Sequence, residues 1–318
     1  MSESPAEIER SSIRTIPVAG RANKVRAEDF ARPPGDDPGE ASFSDFLESL
    51  PDILEARSFL AVVDAIADAA RRERAVVWML GGHVVKTGLS PVLIALMEAG
   101  AVTHLASNGS TVIHDYELAR WGGTSEDVEA GLADGSFGMA EETGRGINEA
   151  VRRGADNGWG YGEAVARDLE ARDDLAHPEA SLLLAARRLG VQFTVHVALG
   201  AEITHQHPSA DGAAIGATSL TDFRRFAKHL ERLEGGAALN IGSAVIMPEV
   251  FLKALTVCRN VNGGVPAAFT TADFDMIRHY RPRVNVVERP TRTGGGAGYQ
   301  ITAHQAGGGG GGDRRGTT

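Results

Sequence analysis

Ala75-Val76-Val77-Trp78-Met79-Leu80 runs straight into Gly81-Gly82-His83. A short unbroken apolar run of this kind marks a strand buried on both faces, as strands of a parallel sheet are. The glycines that follow are turn residues, and a helical pattern then runs from Leu89 to Glu98.

The same rhythm recurs along the chain. Val102 to Ala106 reads as a strand, Ser107-Asn108-Gly109-Ser110 as its turn, and a helix passes through His114 and Leu118. Thr124-Ser125-Glu126-Asp127 resembles a capping box for a further helix. Met139 to Arg172 reads as helices broken at Asn157-Gly158-Trp159-Gly160. Pro178 opens a helix at its first turn, where a missing N–H costs nothing, and that helix ends at Gly190. Val191 to Ala198 is a strand, Phe223 to Leu233 a helix and Ala237 to Ile241 a strand. The strand turns at Gly242-Ser243, Pro248 to Arg259 is a helix, and a last strand covers Ala267 to Thr271. Strands alternating with helices predict βαβ crossovers and therefore an α/β fold on a parallel sheet.

The ends have a different character. Residues 1–44 hold charge, proline and glycine without a sustained apolar period and read as an arm, with Phe43 and Phe46 beginning a docking helix. Residues 45–304 form one α/β domain in this reading, and 305–318, with Gly307 to Gly312, form a glycine-rich tail. Hydrophobic residues make up 42% of the 318, enough for a sizeable core. A formal charge of −10 argues against nucleic acid or an anionic membrane as partner, since both need a basic face. Apolar runs fall well short of the roughly 20 residues of a membrane span. With a single cysteine, Cys258, and no secretory pattern at the start, the expected compartment is the cytoplasm.

Open parallel sheets bind ligands beyond the carboxyl ends of their strands. Four segments fall there: residues 81–88, 107–115, 241–245 and 270–275. Any one such turn is explained by chain reversal alone, but four strand ends on one predicted edge point to a nucleotide-like or small polar ligand. Gly81 to Thr87 is not a phosphate loop of the ATPase type, because Val85 stands where G-x-x-x-x-G-K-[ST] needs its second glycine. No G-x-G-x-x-G follows the first strand either. Residues 196–212 gather His196, His205, His207 and Asp211, a set that suits hydrogen bonding to a substrate or, alternatively, a divalent ion.

TGLSPVLIALMEAGAVTHLASNGS (87–110), PEASLLLAARRLGVQFTVHVALG (178–200), ALNIGSAV (238–245) and FTTADFD (269–275) together resemble the deoxyhypusine synthase family. The resemblance implies a Rossmann-like, NAD-binding sheet and a homotetramer with sites between subunits. It implies cofactor-facing turns at Gly81, Gly82 and His83, at Ser107, Asn108 and Gly109, at Gly242 and Ser243, and at Thr271, Ala272 and Asp275.

The departures are chemical. The family's catalytic lysine lies after these segments in a tryptophan-glycine-lysine context, whereas this chain has no lysine beyond Lys253 and no tryptophan beyond Trp159. Where that family has its catalytic histidine, Met247-Pro248-Glu249 stands. Imine capture needs a lysine amine, so genuine deoxyhypusine synthesis is not expected. The expectation is a transferase-like enzyme that binds NAD or a related ligand and acts on a small, amine-bearing metabolite. Its acid–base candidates are His205, His207, Glu202 and His114, with Lys86 for a covalent role and no resident metal. Two other readings use the same fold: a non-catalytic ligand sensor or assembly subunit, and a metal-dependent hydrolase or lyase built on His205 and His207.

Overall fold

The computed structural model describes residues 7–35, 37 and 39–302. The chain divides into two compact units, Met1–Arg57 and Ser58–Thr318. In the first, single 3-10 turns at Arg10–Ser12, Val18–Gly20 and Ala27–Asp29 precede α1 (Phe43–Ser49), and none of these elements buries a residue. Ser42 starts α1 with a reciprocal cap. Its hydroxyl accepts the Asp45 N–H at 3.2 Å, and the Asp45 carboxylate accepts the Ser42 N–H at 2.8 Å. The glycine-rich tail lies outside the described residues.

In the second unit six strands form one sheet: β1 (Val76–Leu80), β2 (His104–Ser107), β3 (Gln192–Val195), β4 (Ala237–Ile241), β5 (Thr270–Asp275) and β6 (Ala297–Thr302). Their order is β3-β2-β1-β4-β5-β6 and every pairing is parallel. The chain therefore steps outward from β1 in one direction, then returns to the other side of β1 and steps outward again. This is the doubly wound order, and the reversal lies between β1 and β4.

Helices cover both faces. Alternation along β1 sends Val77 and Met79 one way and Val76, Trp78 and Leu80 the other. The Val77 face packs on α10 (Gly212–His229) and α11 (Ile246–Val261) through Phe226, Ala227, Phe251 and Leu255. On the Leu80 face lie α4 (Ser90–Glu98), α5 (Gly109–Trp121), α7 (Glu141–Asn157), α8 (Tyr161–Glu170) and α9 (Leu182–Leu189). Val62 and Ala69 of α2 (Leu54–Arg71) pack on β1, β4 and β5. Two short helices, α3 (Gly82–Lys86) and α6 (Val128–Asp134), stand in the connections.

Several boundaries move for identifiable reasons. The β3 ladder ends at Val195, so His196 to Ala198 leave the sheet. The Glu234 carboxylate takes the N–H of Ala267 at 2.5 Å and of Ala268 at 3.2 Å, which delays β5 until Thr270. Pro178 opens a 3-10 turn, and α9 begins only after Ser181. The buried Asp115 carboxylate fixes that start by accepting from the Ser181 hydroxyl and the Leu182 N–H, both at 2.6 Å. At α6 the cap is Asp127, whose carboxylate accepts from Glu129 and Ala130 at 3.1 Å. Thr124 is thereby free for another task.

Candidate functional site

At the reversal the turns after β1 and β4 touch. The Gly81 N–H donates to Ile241 O at 2.9 Å, and a Cβ on Gly81 would fall well inside contact distance of the Gly242 carbonyl. Gly242 itself has φ +65°, which favours glycine. Ser243, in the turn before α11, accepts the Met247 N–H on its hydroxyl at 3.2 Å. Of the other residues implied to face a cofactor, Asp275 ends β5, with His279 3.9 Å away. Thr271 and Ala272 lie inside β5 and are fully buried. Ser107 is the buried last residue of β2, and Asn108 and Gly109 start α5.

Beside this crevice opens a cleft of about 240 Å³, lined among others by Lys86, Ser110, His114, Glu117, Glu126 and Glu202. Gly82 joins the two, since its missing side chain would meet the Ser110 hydroxyl and the His114 ring. The structure thus brings three of the five catalytic candidates, Lys86, His114 and Glu202, to one wall-to-wall opening.

Glu202 reaches the cleft from the loop after β3. Its Oε1 accepts the Gly109 N–H at 2.9 Å, and only a glycine at 109 leaves room for the carboxylate. A carboxylate at a helix N-terminus is favoured by the exposed N–H groups there. Burial nevertheless pushes its pKa up to about 7, against the hydrogen bonds from Gly109 and Ala198 that favour the charge. His205 Nε2 lies 3.5 Å from Glu202 Oε2. The Gly200 N–H donates to His205 Nδ1 at 3.1 Å, so the neutral ring carries its proton on Nε2, toward Glu202. Burial holds the His205 pKa below the ordinary histidine value.

His114 projects from α5. Its pKa is lowered first by burial and then by the positive charges of Lys86 and His83. Its Nδ1 lies 2.7 Å from the Thr124 hydroxyl, which donates at 2.5 Å to Glu117 Oε2. Thr143 donates to the other Glu117 oxygen at 3.0 Å. Glu126 closes the far side, accepting the Gly138 N–H on both carboxylate oxygens at 3.0 Å.

His207 goes elsewhere. Its Nε2 bonds Glu141 at 2.9 Å, its Nδ1 accepts the Ser209 N–H at 3.1 Å, and its ring packs where Gly144 of α7 has no side chain. That arrangement pins the loop to α7. His205 and His207 therefore face different partners, and among the described residues no group of three or more His, Cys, Asp or Glu could hold a metal ion. No helix among the described residues is long and apolar enough to cross a membrane.

Glu117 escaped the sequence reading, which took Thr124 and Glu126 for parts of a helix cap. One signal was present: His114 and Glu117 are three residues apart, a spacing that puts them on one helix face.

The chain matches no protein-family model and no curated protein. Among solved structures it is similar to AgrE in complex with ornithine and NAD+, at 18% identity and TM-score 0.48, over 78% of this chain and 32% of AgrE. It is similar also to a Methanococcus maripaludis S2 protein assigned to the LOR/SDH group, at 11% identity and TM-score 0.45, over 78% of this chain and 65% of that one. A third is an Entamoeba histolytica protein assigned as a deoxyhypusine synthase, at 9% identity and TM-score 0.44, over 76% of this chain and 86% of that one. The chain spans about a third of the length of AgrE. Likenesses at these scores carry no argument about chemistry, which has to come from the site.

Proposed function

We propose that this chain is a deoxyhypusine synthase-like protein that binds NAD or a related ligand across the β1/β4 crevice and acts on a small, amine-bearing metabolite in the adjoining cleft. The observation that carries the reading is the meeting of Gly81 with Gly242 at the reversal of strand order. Extended dinucleotides lie across such a reversal, where glycine turns let backbone approach the ligand. In favour of an amine, Glu117, Glu126 and Glu202 line the cleft with Lys86. His114 and Glu202 are suited to proton transfer at neutral pH, one as a neutral base and the other as an acid with pKa near 7. Bound NAD would supply hydride acceptance; Gly81, Gly82, Asn108 and Gly242 would hold it.

Deoxyhypusine synthesis itself is not part of the proposal, because the chain lacks the late lysine that the aminobutyl transfer uses. A homotetramer and a cytoplasmic location belong to the same reading. Light scattering is expected to give a tetramer, and a species of about the 33.5 kDa chain mass would refute that part.

The reading is tested by melting the protein with NAD. A ligand that binds the native state alone stabilises it by mass action, by about 2.7 kcal/mol at a hundredfold excess over Kd. The thermal midpoint is expected to rise with NAD and to stay level with zinc. A rise with zinc and none with NAD would favour the metal-dependent alternative.

A further inference from the structure

We propose that Thr124 is a positioning residue: its hydroxyl links His114 to Glu117, holds the imidazole as the Nδ1–H tautomer, and leaves Nε2 as the proton acceptor of the cleft. The assignment rests on reading the cleft as the reacting site.

The available protons fix the tautomer. An ionised carboxylate only accepts hydrogen bonds, so at 2.5 Å the Thr124 hydroxyl must give its one proton to Glu117 Oε2. Its oxygen then has lone pairs alone to offer His114 Nδ1, 2.7 Å away. The ring nitrogen is obliged to donate, and in a neutral imidazole the other nitrogen is left bare. The Thr143 hydroxyl occupies the second Glu117 oxygen at 3.0 Å, so the carboxylate cannot easily turn to receive a different donor. Burial of the ring and the ammonium of Lys86 oppose a charge on it.

The chemistry follows. A substrate X–H in the cleft gives its proton to His114 Nε2 and keeps the bonding pair. The imidazolium so formed is stabilised by Glu117 through the unchanged Thr124 hydroxyl. A third group that orients a base is the general logic of catalytic relays, with a hydroxyl interposed here between base and carboxylate.

The test uses the full chain with 15N-labelled histidine and needs neither ligand nor activity, so it stands apart from the functional reading. His114 is assigned by the resonance lost in His114→Gln. At pH 8 the wild type is expected to show a protonated Nδ1 and an unprotonated Nε2. Thr124→Val should shift the ring toward Nε2–H, and Thr124→Ser should restore the original pattern. Nε2–H in the wild type would overturn the proposal. So would an unchanged tautomer in Thr124→Val with its fold intact by circular dichroism. Should Thr124→Val not fold, the wild-type spectrum alone still decides.

Discussion

Gly81→Ala is expected to abolish NAD binding and to lower stability by about 1–3 kcal/mol, the usual cost of forcing a group into filled space. The added Cβ meets the Gly242 carbonyl, which is backbone and cannot rotate aside. Relief requires the β1 and β4 turns to part, and those turns form the crevice itself. Gly216→Ala is the control. Its position in α10 has open space around a Cβ, and alanine is the better helix former by about 1 kcal/mol. Urea unfolding should therefore show Gly81→Ala below the wild type and Gly216→Ala at or above it. Equal stability with full binding in Gly81→Ala would show that the turns yield freely.

The second large effect concerns acid. His196 is buried beside Phe226 and bonds the Thr194 hydroxyl at 3.1 Å. Burial holds its pKa at about 3, against 6.5 for a solvated histidine. Above pH 6.5 neither folded nor unfolded chain carries a proton there, and the contribution to stability is intact. Below 6.5 the unfolded chain takes a proton that the native state refuses, so stability is lost until about pH 3. By pH 4 the loss amounts to about 3 kcal/mol.

Buried carboxyls run the other way. Asp115, raised to about 6, and Asp222 and Glu202, each raised to about 7, add stability as pH falls toward their unfolded values. The wild-type curve mixes both trends, so the difference from His196→Gln is the informative quantity. Between pH 7 and pH 4 the variant is expected to lose about 3 kcal/mol less than the wild type. Parallel curves would mean that His196 accepts its proton without cost in the folded state.

The parallel sheet was legible because buried strands such as Val76–Leu80 are apolar throughout and end in glycine. Strand β6 was not, since Ala-Gly-Tyr-Gln-Ile-Thr is only half buried and lacks that signature. Helix α10 was seen from Phe223 onward, but its first turns are mostly Gly, Ala, Thr and Ser, with Ile215 and Leu220 too sparse to set a helical period. In the site, the glycine turns and the Lys86, His114 and Glu202 positions were readable as polar groups in the segments that follow strands. Glu117 and Thr124 were not, because their role depends on a hydrogen bond across a loop. Thr124 looked like a cap, a local part it surrenders to Asp127. The spacing of His205 and His207 suggested a pair, whereas the 3-10 turn Ile203–His205 sends their rings apart.

The central claim, a dinucleotide ligand in the β1/β4 crevice, is tested most directly by calorimetric titration of the purified chain with NAD. The expected result is a saturable heat that is lost in Gly81→Ala and kept in Gly216→Ala. No heat of binding up to millimolar NAD, from protein freed of any co-purifying ligand, would contradict it.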